Sequence, residues 1–415
     1  MSERRLRVLA IASHPVQYAA PIFRLMAQHA QLDFHVAYCG MRGAEAGHDP
    51  EFGHSVKWDV PLLDGYAWTH VPNHGSGAES FFGLRNPGLW KFIRKGQFDA
   101  LVCFVSYLRW TFWISYLAAR IRGVPFIFGT DASSIEPRDG RKWKRKFKHL
   151  AWPLLFRLSG QVLTASTAGK QTMRSFGIPE DRISMTLDTV DNDWWTEQSQ
   201  RVDRNEVRAS WGVDPAEKVI LFCGKLQPWK RPLDALRAFA AADISRSTLV
   251  FAGDGALRAN IVSEATSLGL ESRVRMLGFV NQSQLPAVYR ACDIMVIASD
   301  YEPFGLVVNE AMLCGCVVVA SDKVGACQDL IIPDETGFIF GCGDVQALAG
   351  VLRDIFTKPN SIRDISVKAR TRMRSWSPQV SAAALADAIV QAVSRSKSVA
   401  RSAQAQTVKP RVSRT

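Results

Sequence analysis

The sequence predicts an α/β protein of two doubly wound, Rossmann-like domains facing each other across a cleft. Three observations carry that prediction. The chain is 415 residues long, which at about 150 residues per domain means two or three cores rather than one. Short apolar runs alternate with longer amphipathic segments, the pattern of a parallel sheet covered by helices. The alternation breaks once, at Thr189–Arg201 (TVDNDWWTEQSQR), which is polar apart from two tryptophans, and then resumes. The boundaries that follow are 1–190 for a first domain, 191–205 for a junction and 206–378 for a second domain. Residues 379–395 form a last amphipathic helix and 396–415 a disordered basic tail.

In the first domain the expected strands are Leu6–Ala12, Leu32–Tyr38, Ala100–Val105, Pro125–Phe128, Gln161–Ala165 and Arg182–Thr186. Each is a short apolar run bounded by polar, Gly or Pro residues. The start, MSERRLRVLAIASHP, imitates a signal peptide, but only about six apolar residues precede His14 and Pro15, so a first strand is expected. Leu101–Ile121 is interrupted by Arg109 and reads as a buried strand and helix, not a continuous span of ~20 residues. The second domain should contribute Val219–Cys223, Thr248–Ala252, Val274–Leu277, Ile294–Ala298 and Val317–Ala320. After these, Val380, Leu385, Ile389 and Val393 recur as a helical stripe.

Apolar residues make up 47% of the chain and charged residues 22%, which excludes a disordered or fibrous protein. The net charge of +12 is local. Arg141–Lys148 (RKWKRKFK) holds six basic and no acidic residues, the tail from Ser394 holds another six, and the remainder is neutral. A nucleic-acid binder would spread its charge over a folded face, so nucleic acid is not the expected partner. An anionic membrane surface is. Arg141, Lys142, Lys144, Arg145, Lys146 and Lys148 flank Trp143 and Phe147, and Leu150, Leu154 and Leu158 continue that apolar spacing along one helical face. Pro153 should kink or end this helix. The eight cysteines lack CxxC pairs and zinc-type spacing, so reduced thiols and a cytoplasmic location are expected.

Two segments carry chemistry. Gly224-Lys225-Leu-Gln-Pro-Trp-Lys230-Arg231 ends an apolar strand and precedes a helix whose first turn takes Pro232. Cations beside a helix N-terminus suit a phosphate or diphosphate. Asp300-Tyr-Glu302-Pro-Phe304-Gly305-Leu306-Val-Val-Asn-Glu310 follows another strand, and its helix start offers free N–H groups to the same anion. Glu302 and Glu310 are eight residues apart, about 12 Å along a helix, against the ~5–5.5 Å of a retaining glycosidase pair. They suit acceptors of sugar hydroxyls better than a hydrolytic pair.

Lys225 with Lys230, Glu302 separated from Glu310 by seven residues, and the following Val-Val-Val-Ala-Ser321 and Gly325 together resemble the retaining nucleotide-sugar glycosyltransferases of family 4. Those enzymes have the GT-B fold, and the likeness covers about Val219 to Phe340. The resemblance implies that Lys225 and Lys230 bind the donor diphosphate, beside Gly224. It implies that Glu302 holds hydroxyls of the transferred sugar and Glu310 the ribose. Backbone groups at Phe304, Gly305 and Leu306 would contact sugar and phosphates, Gly278-Phe279-Val280 would lie against the base, and the last helix would cross back onto the first, acceptor-side domain. No metal or other cofactor is implied. The lone Asp191-Asn-Asp193 fits a metal-binding DxD only weakly.

The sequence departs from the family in places. Ser13-His14-Pro15-Val-Gln17-Tyr18 replaces a Gly-Gly turn, Thr130 stands where a sugar-contacting His is usual, and Ala326 and Asp329 replace a Gly and a Glu. Asp131 or His14 is expected to take over part of the missing His role. The implied reaction moves a sugar, with retention, from a nucleotide-diphosphate sugar to a lipid-linked or envelope-polysaccharide acceptor. A GT-B nucleotide-sugar epimerase and a nucleotide-sugar-binding protein without turnover are the alternatives.

Overall fold

The computed structural model describes residues 4–49, 51–132 and 142–407. Two parallel sheets form its framework. The first domain contains β1 (Leu6–Ala12), β2 (Leu32–Tyr38), β3 (Gly47–Asp49), β4 (His54–Val56), β5 (Ala67–His70), β6 (Ala100–Cys103), β7 (Phe126–Thr130), β8 (Gln161–Thr164) and β9 (Ile183–Met185). The second contains β10 (Lys218–Cys223), β11 (Ser247–Ala252), β12 (Val274–Gly278), β13 (Ile294–Ile297), β14 (Val317–Ser321) and β15 (Phe338–Phe340). The sheet orders are β5-β2-β1-β6-β7-β8-β9 and β12-β11-β10-β13-β14-β15, while β3 and β4 pair separately as an antiparallel hairpin. Each sheet reverses direction of winding beside its first strand, which opens a crevice at the C-terminal strand ends.

The strand sequences explain this arrangement. Val8 to Ile11, Leu101 to Cys103 and Val317 to Ala320 are wholly buried, as strands covered by helices on both faces require. Every strand expected from an apolar run is present, with ends shifted by a residue or two. The hairpin, β5 and β15 were not expected. They are three or four residues long, and β5 (AWTH) is an exposed edge without an apolar run.

The helix Pro378–Thr407 returns to the first domain. Leu385, Ala386, Ile389, Ala392 and Val393 join the buried cluster of Val8, Ala10, Phe23 and Val36. Fully burying Leu385 or Ile389 is worth roughly 1.5–3 kcal/mol each. Val380 of the expected stripe is instead 41% exposed. The tail expected to be disordered from residue 396 continues this helix to Thr407, because its Ala, Arg, Gln and Lys residues favour helix once an anchored segment has nucleated it.

Helices Asn192–Gln200 and Arg204–Ser210 occupy the junction, and Trp195 is fully buried against Tyr289. Pro153 does not end its helix, which runs over Lys142–Arg157. Trp152, Leu155 and Phe156 anchor that helix in the core, while Trp143, Leu150 and Leu154 are 62%, 81% and 66% exposed. Arg141 and the side chains of Lys142, Lys144, Arg145 and Phe147 lie outside the described residues. Lys146 is exposed and Lys148 sits over the Trp152 ring, 4.8 Å from its centre.

Candidate functional site

The second domain supplies one wall of the crevice from the ends of β10, β12 and β13. After β10 the chain passes Gly224 and tightens into a 3-10 turn, Pro228–Lys230, before the helix Pro232–Ala242. Arg231 takes a left-handed conformation (φ 52°) to join them, and its guanidinium holds Asp234 at 2.6 Å. Gly224 and Gly253 end adjacent strands so close together that a Cβ on Gly253 would lie 1.9 Å from the Gly224 carbonyl oxygen. This turn aims Lys230 at Glu302, and the two form an ion pair at the cavity wall.

The segment after β13 places the carboxylates. The Glu302 carbonyl accepts from the Gly325 N–H at 3.0 Å, and Gly305 adopts φ 100°, where an added Cβ would lie 3.0 Å from Glu302 Cγ. The chain then enters the helix Val307–Cys314. Phe304 turns away from the crevice and stacks on Trp376, with ring centres 5.7 Å apart, so only its backbone can serve the site. Glu310, in the first turn, lines the cavity and accepts from the Tyr289 hydroxyl at 2.7 Å. Burial pushes Glu310 up to about 7, against the opposing hydrogen bond from Tyr289.

These groups share one cavity of about 270 Å³ with residues of the first domain. Gly224, Lys230, Glu302, Gly305, Leu306, Glu310, Phe279 and Val280 all line it. Lys225 does not. Its ammonium is held by two carboxylates of the hairpin, Asp49 at 3.1 Å and Glu51 at 2.5 Å, and it lies over the Phe52 ring. Burial works against the charge on Asp49, but Lys225 outweighs it and holds the carboxyl below its ordinary value.

His14 also lies outside the cavity wall; Gln17 and Tyr18 of the same turn occupy it. Burial and the Arg42 guanidinium hold the His14 imidazole down to about 4, so it is neutral near pH 7, with Nδ1 3.0 Å from the Ser13 hydroxyl. Asp131 is exposed and does not line the cavity, yet its charge is felt there. Desolvation, then the charges of Asp131 and Asp329, push Asp188 up to about 7. Desolvation, Asp188 and Asp131 likewise push the Tyr18 hydroxyl up to about 12. Asp329 is buried and accepts from the Thr167 N–H at 3.2 Å, which ties the two domains together instead of reaching toward a ligand. Asp191 caps its own helix through the Trp194 N–H, and Asp193 accepts from Gln379.

Sequence reasoning missed Tyr18, Asp188, Phe52, Trp58 and Gln282. Only a cluster of acidic and aromatic residues in Asp49–Trp58 hinted at the hairpin's part.

The crevice between two parallel-sheet domains, closed by a returning helix, defines the GT-B fold. The chain covers 93% of itself and all of HepE from Anabaena at TM-score 0.68 and 20% identity; that structure holds UDP and glucose. A glycosyltransferase from Rickettsia africae superposes at TM-score 0.71 and 16% identity, over 94% of this chain and 99% of the other. In sequence, residues 16–186 match the Glycosyl transferase 4-like domain and residues 203–372 match the Glycosyl transferases group 1 domain. By fold and by the domains of both lobes, the chain belongs with the GT-B glycosyltransferases. Among curated relatives, a D-inositol 3-phosphate glycosyltransferase from Rhodococcus erythropolis is 37% identical over 185 residues, 42% of this chain and 41% of its own length. One from Rhodococcus opacus is 31% identical over 225 residues, 52% of this chain and 49% of its own length. The chain thus spans less than half the length of the curated relatives it matches here.

Proposed function

We propose that the protein transfers a sugar from a nucleotide-diphosphate sugar to an acceptor, with retention at the anomeric carbon. The observation that carries this reading is the meeting of Lys230, Glu302, Glu310 and the start of the helix Val307–Cys314 in one cavity between the lobes. As the bond from the anomeric carbon to phosphate oxygen breaks, negative charge collects on the departing diphosphate. A fixed ammonium and helix-terminal N–H groups stabilise that charge without reorganising. Glu302 accepts hydrogen bonds from the sugar hydroxyls. The acceptor oxygen attacks the face that the phosphate leaves, and its proton passes to a phosphate oxygen, so no protein base is needed. No step requires a metal. A panel of nucleotide sugars, read by nucleoside diphosphate release, tests the reading. One donor should be consumed faster when acceptor is present, and Glu302→Ala should abolish consumption; unchanged turnover in that variant refutes the assignment.

The acceptor side supports a lipid-linked or envelope glycan presented at an anionic membrane. Trp113, Leu117 and Ile121 recur at helical spacing on the helix Trp110–Arg122 and are 38%, 52% and 54% exposed. With the exposed Trp143, Leu150 and Leu154 they put apolar side chains on the surface of the first domain, and Arg120, Arg122 and Lys146 lie nearby in sequence. Among the described residues no helix is long and apolar enough to cross a membrane. Insertion of such side chains at the headgroup level is the interfacial mode of binding. Sedimentation with vesicles containing anionic lipid should fall at least tenfold in affinity for Leu150→Glu/Leu154→Glu, each apolar group contributing about 1 kcal/mol or more. Equal sedimentation of parent and variant counts against a membrane role for this helix.

A further inference from the structure

We infer that Arg290 and Arg370 form a second anion site, away from the cavity, that takes a phosphate monoester. Arg290 lies on the helix Leu285–Ala291 and Arg370 on the helix Pro359–Met373. Both helices pack against Val307–Cys314, which ends in a left-handed turn at Gly315 (φ 85°). The Arg370 guanidinium sits on that end, where a Cβ added to Gly315 would lie 3.0 Å from its Cζ. Burial and then the charge of Arg290 hold Arg370 below its ordinary value, as two neighbouring cations should. Burial and then Glu310 push the Cys314 thiol up, while Ser199, Arg370 and Arg290 oppose them, so both guanidiniums gather at the same helix end. Neither lines the cavity of Lys230 and Glu302.

What this pair lacks is a counter-charge. Among the described residues neither guanidinium has a hydrogen bond or an ion pair, and the Nε–H of each is buried without an acceptor. Their terminal amino groups are unpaired as well, but both side chains are only half-buried, and those groups reach solvent. Asp293, three residues from Arg290, is already committed to Arg204 and, at 2.9 Å, to Arg208. The helix end itself carries about half a negative charge, which offsets part of one guanidinium and not two.

Half-buried like charges with unpaired donors are costly, and native structures rarely leave them so. An oxyanion between the two side chains removes both costs. Guanidinium forks match the oxygens of carboxylate and phosphate, and a pair of them favours the more highly charged ligand. A phosphate monoester carries about −1.5 to −2 near neutral pH. Bound here, it would tie two helices across the end of the helix that carries Glu310.

Equilibrium dialysis of inorganic phosphate tests the site on the full chain carrying Lys230→Ala, which removes the cavity ammonium as a rival ligand. One phosphate should bind per chain, and affinity should fall about tenfold or more when Arg290→Met or Arg370→Met is added, the scale of a lost charged hydrogen bond. At matched ionic strength, phosphate should raise the melting temperature by about 2–5 °C over chloride and leave both Met variants unmoved. In chloride these variants should melt at or above their parent, since Met keeps the packed stem and removes the repulsion. Arg290→Lys, which keeps the charge and loses the fork, serves where a Met variant does not fold, and it too should bind phosphate more weakly. No phosphate bound, or affinity unchanged in the arginine variants, overturns the site and leaves the donor reading untouched. Phosphatidylcholine vesicles with and without phosphatidic acid separate the two sources of such a group. Sedimentation that needs both arginines and is competed by free phosphate assigns a lipid headgroup; sedimentation indifferent to them, with dialysis positive, assigns a soluble phosphate monoester.

Discussion

Lys230→Ala lowers the rate of nucleoside diphosphate release by about 10²–10³ at saturating donor, the range found when one preorganised charge stabiliser is removed from a transition state. Lys225→Ala has a much smaller effect, about tenfold or less. The two lysines sit on one eight-residue segment and look equivalent in sequence, but the structure separates them. Lys230 faces the cavity beside Glu302, whereas Lys225 is neutralised by Asp49 and Glu51. Steady-state kinetics on both variants check this directly. Equal losses would mean that the hairpin carboxylates leave Lys225 when donor arrives, and that both ammonium groups then reach the diphosphate.

Nucleotide affinity rises with pH and levels off above about 7. Burial in the cavity wall pushes Glu310 up to about 7, so below that pH its carboxyl is mostly protonated. Ribose hydroxyls donate to a carboxylate, so the ionised form binds, and each pH unit below 7 lowers affinity by up to tenfold. Titration calorimetry from about pH 5.5 to about 8.5, on either side of that midpoint, follows this. Glu310→Gln should flatten the profile, whereas Asp188→Asn, which removes the other carboxyl titrating near 7, should leave it in place. Stability of the ligand-free protein moves in the opposite direction. Glu310 and Asp188 keep their protons in the folded state at pH values where the unfolded chain has already released them. Their contribution is present below the ordinary carboxylate range and is lost as pH rises toward 7. The melting temperature should therefore decline over that interval, and less steeply in either variant. A profile for Glu310→Gln that matches the parent would remove Glu310 from nucleotide binding.

The sheets were legible because burial on both faces forces runs such as Val-Ile-Leu-Phe and Val-Val-Val-Ala, and no other element needs them. The convergence of Lys230 and Glu302 was legible as well, since each follows a strand and opens a helix. What was illegible depends on the partner lobe. Nothing local to Lys225 shows that Asp49 and Glu51, more than 170 positions earlier, will hold it. The hairpin's strands are three residues each and contain two histidines, so no apolar period marks them. Asp188 lies in a connection between elements, where its perturbation comes first from burial by the packed lobes and then from Asp131 and Asp329, distant in sequence. His14 and Asp131 were sensible candidates by residue type and position. Tyr18 and Gln17 line the cavity wall where His14 does not, and the charge of Asp131 raises Asp188 and Tyr18 after burial has done so.

The returning helix has a consequence for how the molecule comes into being. The apolar cluster around Val8, Ala10 and Val36 is laid down long before Leu385, Ile389 and Val393, which complete it. Order of synthesis and order of burial run in opposite directions. On the ribosome the first lobe must wait, with an uncovered oily flank, until the returning helix has followed the second lobe out.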